Sequence, residues 1–528
     1  MTNTIADIEL ADVILVQGSN TTENHPVIST FIKRAATLKG ATLIVVDPRK
    51  LKLTESADTW LRLQPGTDIA LINGFMHVII KENIYDKEFV KNRTEGFEAL
   101  KKTIEKYTPE HVEKITGVAA NKIVSTARTF AAAKRGCIVY CMGITQHTTG
   151  TDNVKSLANL SMLCGDLGIP GGGVNPLRGQ NNVQGACDMG GLPNVFTAYQ
   201  KVDNNDALIK YGNAWDITDL SPKPGLAVTE MVQKAGEGEI KALYIIGENP
   251  VVSDPDLNHA EKAFKNLDFL VVQDIFLTET TKLADVVLPA FCFAEKNGTF
   301  TNTERRVQRV RRAVKAPGFA RRDWKIICDI ANRMGYPMNY PNANAIFEEL
   351  RTVTPSYAGI TWDRIKNEGI FWPCPTENHP GTPILHTKQF TRGKGLFHAI
   401  EHRDPVEMPD EDYPFILTTG RLLFQYHTGT MTMKSAGLNF LAPECFVEIS
   451  ANDAEGLGLE DGEMVEVSSR RGTITAKLKI SPKAVDGTLF IPFHFAKAAA
   501  NRLTNASIDP VAKIPEFKVC AINIKKAA

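Results

Sequence analysis

Short apolar runs with polar tips, each followed by a helix-type stretch, recur over the first two thirds of the chain. DVILVQGSN (12–20) leads into PVISTFIKRAATLKG (26–40), where Pro26 suits a helix start and Gly40 a helix stop. ATLIVVDPR (41–49) is the next apolar run, and GCIVYCMGITQ (136–146) another. DIALINGFMHVIIKEN (68–83), AANKIVSTARTFAAAKR (119–135) and DNVKSLANLSMLCGDLG (152–168) carry apolar residues at helical spacing. Strands covered on both faces read as unbroken apolar runs, so this alternation predicts a mainly parallel sheet between helices.

The pattern then repeats. KALYIIGENP (241–250), PDLNHAEKAFKNL (255–267), DFLVVQDIF (268–276), ADVVLPA (284–290) and DWKIICDIANRMG (323–335) form a second strand–helix set. From about 336 the sequence turns Pro- and Asn-rich with weak periodicity. From 413 it changes again: FILTTGR, CFVEIS, GEMVEVSSRRGTITAKLKIS and GTLFIPFHF read as strands spaced by turns. The predicted fold class is α/β: two doubly wound Rossmann-like units plus a C-terminal β-barrel. The expected boundaries are 1–180 and 181–345 for the α/β units, the second with an inserted loop segment at about 293–321. An irregular connector over 346–410 and a barrel over 411–528 complete the chain.

Composition excludes several classes. Lys plus Arg equals Asp plus Glu at 60 each, which argues against a general nucleic-acid binder. No apolar stretch has the length of a membrane span, and the first residues lack the basic start of a signal peptide. The nine cysteines are scattered without a CxxC pair, the wrong spacing for zinc or an iron–sulfur cluster. They read as buried free thiols of a reducing compartment, with the cytoplasm as the default.

Ligands on open parallel sheets bind beyond the carboxyl ends of strands. Those ends carry Gly18, Ser19 and Asn20; Asp47, Pro48 and Arg49; Gly143, Thr145 and Gln146; Gly247, Glu248 and Asn249; Gln273 and Asp274. Each alone reads as a turn. Five together suit sugars, phosphates and base edges, and two sheets imply two nucleotide-like ligands or one long one. Neither a GxGxxG nor a GxxxxGK[ST] fingerprint is present.

Between the two sets stands NPLRGQNNVQGACDMGGLPN (175–194), with one cation, Arg178, one anion, Asp188, and a run of amides. Nothing in it repeats at 3.6 or 2, so it is expected to be neither amphipathic helix nor strand. It reads either as a solvated surface loop or as a cover over a large polar ligand. Amides donate and accept at once, and Arg178 offers five planar donors to a small carboxylate.

These stretches, with VVDPRK, PGTDIALINGF, the run from MGITQHTTG to NPLRG, IIGENP, VQDIFLTET and TTGRLLFQYHTGTMT, closely resemble the catalytic subunits of molybdenum- or tungsten-dependent formate dehydrogenases. The resemblance covers essentially the whole chain in order, and RGQNNVQGACDMG is specific to the formate branch of the molybdopterin oxidoreductases. It implies one Mo or W held by a bis-molybdopterin guanine dinucleotide, each dinucleotide docked on one of two pseudo-symmetric α/β units. It implies that Arg178 orients formate beside the metal and that Gln180 contacts a pterin. Gly18, Asn20, Asp47, Arg49, Gly66 and Asp68 match one dinucleotide site, with Met142 and Gln146 near its pterin. Gly247, Asn249, Asp274 and Asp285 match the other. Arg421, Tyr426, His427, Thr428 and Gly429 match a pterin-gripping segment, and Asn501 and Lys518 later contacts. Many relatives open that segment with His where this sequence has Gln425, whose amide still suits a pterin. His427 alone reads as a core histidine, which the neighbouring TGTMT counts against.

The relatives start with a cysteine-rich module carrying a [4Fe–4S] cluster, then a Cys or selenocysteine metal ligand with a His beside it. None of these stands in this sequence, so no metal ligand is assigned, and the resemblance begins just past that point. The expectation is an N-terminally truncated selenoprotein, restarted after an in-frame UGA and inactive by itself. The implied partners are formate or CO2 and an iron–sulfur electron-transfer subunit linked to NAD, a ferredoxin, a deazaflavin or a hydrogenase. Two rivals stay open: a non-catalytic scaffold of the same fold, and a sister oxidoreductase acting on nitrate or another oxyanion.

Overall fold

The three apolar runs of the first third become strands in the computed structural model, which describes residues 1–527, and two further short strands complete a five-stranded parallel sheet. The five are β1 (Val13–Gln17), β2 (Thr42–Val46), β3 (Thr59–Leu61), β4 (Gly136–Tyr140) and β5 (Gly173–Pro176), in the order β3-β2-β1-β4-β5. Val13 pairs with Thr42 on one side and with Gly136 on the other. Successive strand side chains face opposite ways, and here each face meets helices. Leu15, Ile44 and Ile138 pack with residues of α2 (Asp68–Lys81), α3 (Ala120–Ala132) and α4 (Gly150–Leu163). Ile14, Val16, Leu43, Val45 and Val139 pack with Ile28, Ile32 and Ala35 of α1 (Pro26–Lys39). Each such side chain, once buried, contributes about 1.5–3 kcal/mol. Pro26 does open α1, and Gly40, at φ +75°, closes it.

The expectation for 175–194 is corrected in part. Asn175 and Pro176 end β5, and Val183–Asp188 form a helix, α5. Its buried face holds Gln184, Gly185 and Asp188. A helix that buries polar groups leaves no apolar period to read.

The second set gives β6 (Ala242–Ile246), β7 (Phe269–Asp274) and β8 (Val286–Pro289), a parallel sheet in that order. The segment at 293–321 is not a plain loop. It holds an antiparallel hairpin, β9 (Gly298–Thr301) with β10 (Arg306–Val310), in which Thr301 faces Val307. The mostly polar strand RVQRV hid it. The helix α6 (Asp323–Arg333) follows as expected. A further helix, α7 (Ala343–Val353), runs into the supposed irregular connector, capped by Asn342 Oδ1 accepting from Ala345 N at 3.0 Å. Only Phe347 and Val353 of it are buried, too few to show as a period. Strand β11 (Ile370–Phe371) pairs with β10.

Six strands close the C-terminal barrel: β12 (Phe415–Gly420), β13 (Phe446–Ile449), β14 (Met464–Ser468), β15 (Thr473–Ile480), β16 (Thr488–Pro492) and β17 (Cys520–Lys526). Around the barrel they run β12-β16-β13-β15-β14-β17. Along β15 buried Ile474, Ala476 and Leu478 alternate with exposed residues, the period of a strand with one wet face. The chain divides into two units. The first joins Met1–Leu177, Pro250–Glu261 and the chain from Ile384 onward, so it holds the five-stranded sheet and the barrel. The second consists of Arg178–Asn249 and Lys262–Pro383. Among the described residues no helix is long and apolar enough to cross a membrane.

Candidate functional site

In the first unit the strand order reverses beside β1, and open α/β sheets bind ligands at such a switch point. A cavity of about 840 Å³, open mouth included, lies there. Its wall includes Gly18, Asn20 and Met142 at strand ends, Gly66 and Asp68 at the start of α2, and Arg421 beyond β12. Gly18 sits at φ +58°, and a Cβ there would come 2.8 Å from the Gly143 carbonyl carbon. The two backbones touch, with Gly143 N donating to Gly18 O at 3.0 Å. Only glycine allows this approach.

The charged groups on this wall are strained by burial. Asp47 accepts from Arg49 N at 2.9 Å, yet burial pushes its carboxyl up to about 6. Arg49 pairs with Glu448 at 2.6 Å and lies 3.5 Å above the Phe490 ring centroid. Lys518 Nζ donates to Thr419 O at 2.6 Å, and burial, aided by Arg421 and Arg49, pushes it down to about 8. Burial lowers Arg421 as well. Asp68 accepts from Gln17 Nε2 at 2.8 Å and is raised by burial. Gln146 Oε1 and Asn24 Oδ1 are buried without a hydrogen-bond partner. Three cations supply donors, and the Asp47 and Asp68 carboxylates with the unmatched Asn24 amide oxygen supply acceptors, for a nucleotide diphosphate with its sugar hydroxyls. The residues present fit the dinucleotide that the sequence implied.

Two histidines missed in the sequence hold this wall in place. His147 donates Nδ1–H to Glu516 at 3.1 Å and Nε2–H to Gly143 O at 2.9 Å. Burial opposes its charge, but Glu516 and Asp68 carry its pKa above the ordinary value. Glu516 also accepts from Thr148, Lys518 and Val519 N, so one carboxylate fixes the segments bearing Gln146 and Lys518. His494 accepts from Leu422 N at 2.9 Å through Nε2, which leaves Nδ1–H to donate to His427 O. That bond settles its tautomer.

The segment after Arg421 forms a buckle. His427 stands at φ +49°, and burial beside Arg421 pushes it down to about 4. Gly429, at φ +72°, leaves no room for a Cβ, which would meet His494 O at 2.9 Å. Gln425 is committed within the buckle: Nε2 donates to Ala442 O at 2.8 Å and Oε1 accepts from Thr432 at 2.6 Å. Tyr426 is partly exposed and Thr428 pairs with Thr430 at 3.0 Å. None of these five residues lines the cavity. Asn501 lies elsewhere, its Nδ2 donating to Ser253 O at 2.8 Å.

In the second unit the strand ends repeat this geometry on a smaller sheet. Gly247, at φ +65°, donates to Gln273 O at 2.9 Å, as Gly18 does to Val46 O at 3.0 Å. Asn249 accepts from Thr280 Oγ1 at 2.8 Å and donates to Glu279 at 2.9 Å. Asp274 accepts from Ile275 N at 2.6 Å, and burial raises both it and Glu248. Asp285 departs from the expectation. Its Oδ2 accepts from Leu270 N at 2.7 Å, at the amino edge of the sheet, opposite the ends of β6 and β7. Asp58 does the same for Leu43 N at 2.8 Å in the first unit. Both are sheet clamps.

Arg178 and Gln180 are half-buried at the start of the amide-rich stretch. Arg178 N donates to Thr303 Oγ1 at 3.1 Å, and its Nε and Nη2 both donate to Gln184 Oε1 at 3.3 Å. This contact orients the cation through a neutral oxygen. Gln184 and Asp188 are four apart on α5, a spacing no apolar pattern marked. Among the described residues no group of three or more His, Cys, Asp or Glu is placed to hold a metal ion.

Fold and crevice define a nucleotide-binding protein built on two related α/β sheets and a barrel. The molybdopterin oxidoreductase family matches residues 1–333 and the molybdopterin dinucleotide binding domain residues 415–521. The chain is 56% identical over 530 residues to the F420-dependent formate dehydrogenase subunit alpha of Methanocaldococcus jannaschii, covering 100% of this chain and 78% of that protein. It is 38% identical to the assimilatory nitrate reductase catalytic subunit of Bacillus subtilis, over 99% of this chain and 76% of that one. Acetylene hydratase from Pelobacter acetylenicus shares the fold, with a TM-score of 0.77 at 22% identity over 99% of this chain and 79% of its own. The chain belongs to the molybdopterin oxidoreductase family.

Proposed function

We propose that this chain is the cofactor-binding part of a formate dehydrogenase catalytic subunit, converting formate to CO2 with release of a proton and two electrons. The observation that carries the reading is Arg178, whose guanidinium is held along one edge by the neutral Gln184 amide oxygen, within the stretch that resembles the formate branch. Identity of 56% to a formate dehydrogenase alpha subunit, against 38% to a nitrate reductase, supports formate over an oxyanion. A scaffold has no use for so ordered an arginine.

Arg49, Arg421 and Lys518 would hold the anionic part of one molybdopterin guanine dinucleotide, and Asp47 its sugar hydroxyls. Gly247, Asn249 and Asp274 would serve the second, without Asp285. The bound metal, Mo or W, supplies the two-electron acceptor. Arg178 grips the formate oxygens in one plane and presents the C–H bond in a fixed direction, which is where orientation earns its rate. A [4Fe–4S] cluster and an iron–sulfur partner subunit would carry the electrons on. The F420 dependence of the M. jannaschii relative supports a deazaflavin-linked partner, and the free cysteines support a reducing compartment, the cytoplasm.

The test is Arg178→Lys in the holoenzyme. Lysine keeps the charge but loses the planar two-point grip. Formate kcat/KM should fall on the order of a hundredfold while metal per chain stays at the wild-type level. Normal kinetics per metal would return Arg178 to loop structure.

A further inference from the structure

Gln184 Nε2 donates to Asp188 Oδ1 and to Tyr199 Oη, both at 2.8 Å. An amide nitrogen only donates and its oxygen only accepts, so this side chain has one allowed orientation. Oε1 is thereby turned toward Arg178, where it accepts from Nε and Nη2. Asp188 is wholly buried and takes three more hydrogens: Tyr357 Oη at 2.6 Å and Trp372 Nε1 at 2.7 Å on Oδ2, and Tyr199 Oη at 3.0 Å on Oδ1. With four donors converging, the carboxylate cannot turn without losing a bond. Tyr199 reaches it from a backbone at φ +64°, next to Ala198 at φ +51°, conformations that cost about 1–2 kcal/mol per residue. Strain of that kind persists where the surroundings over-determine it.

We infer that Gln184, itself oriented by Asp188, is the positioning residue that sets the plane of the Arg178 guanidinium for carboxylate capture. The inference rests on Arg178 being the formate-binding cation. A guanidinium carries its five donors in one plane, so fixing one edge fixes the plane in which another edge grips a carboxylate. Asp188 acts one bond further out: without its charge Gln184 is free to flip and present N–H to a cation. The sequence carries the pair as Gln and Asp four apart, one turn of α5, which stacks them on the same face.

Gln184→Met keeps the side-chain length and removes the amide. In the holoenzyme it should lower formate kcat/KM about tenfold or more, with metal per chain and Tm at wild-type values. Added guanidinium should partly restore Arg178→Ala but not Arg178→Ala/Gln184→Met, because the acceptor that seats it is gone. A merely structural Gln184 would leave that rescue intact. Asp188→Asn, which keeps the shape, should reproduce the loss by letting Gln184 flip, and it stands in if Gln184→Met fails to assemble. Turnover per metal at the wild-type level in either variant, or failure of both to assemble with cofactor, overturns the inference. Normal kinetics in Arg178→Lys would instead sink the reading of Arg178, whatever Gln184 does; where guanidinium does not restore Arg178→Ala, the kcat/KM values decide.

Discussion

Lys518 carries the electrostatic demand of the first crevice. Burial pushes its ammonium down to about 8, so between that pH and the ordinary lysine range the unfolded chain holds a proton that the folded chain does not. Stability of the ligand-free protein therefore rises with pH across that window. An anionic ligand reverses the preference, since it binds best while Lys518 is charged. Affinity for guanosine diphosphate, measured by calorimetry, should hold below pH 8 and weaken as pH rises through it. Lys518→Met should bind weakly with a flatter profile over that range; a flat wild-type profile sinks this account. At this scale Arg178, Lys518 and Arg421 were named from the sequence through the resemblance of their motifs to the family's. His147, Glu516, His494, Gln184 and Asp188 were not, since each acts on a partner distant in the chain or hidden within a polar helix face.

The same logic separates clamp from ligand within the β7–β8 element. Asp285 shares one geometry with Asp58: a carboxylate just before a strand accepts the amide of the second residue of its neighbour. Asp285→Ala should cost about 1–3 kcal/mol, the penalty for leaving that buried amide unmatched. The urea midpoint should fall while metal and nucleotide per folded chain stay constant. Loss of cofactor from well-folded protein would restore Asp285 to the binding site. The motif marked Asp285 as special but could not tell the carboxyl edge of a sheet from the amino edge. The hairpin of β9 and β10 escaped the sequence for a related reason: Arg306 and Arg309 break the apolar alternation, while Val307 alone reaches the core.

For the molecule as a whole, the expected signature is binding that spreads through a sheet and a barrel of one unit. A ligand at a hundred times its Kd adds about 2.7 kcal/mol to stability. With guanosine diphosphate, hydrogen exchange should slow together at 18–20, 47–49 and 418–421, segments far apart in sequence that share one cavity wall. Slowing confined to one of the three would deny the shared site.

Local patterning by itself determined the apolar strands β1, β2, β4 and β6 to β8, the helices α1 to α4 and most of the barrel, because apolar period and turn residues act over a few positions. The order of motifs pointed to the family, which the relatives bear out. Only tertiary structure decided which polar residues meet. Arg49 reaches Glu448 across 399 positions, and Asp188 gathers donors from Tyr357 and Trp372. A hydrogen bond depends on ångströms of placement between distant segments, and no short window of sequence carries that information.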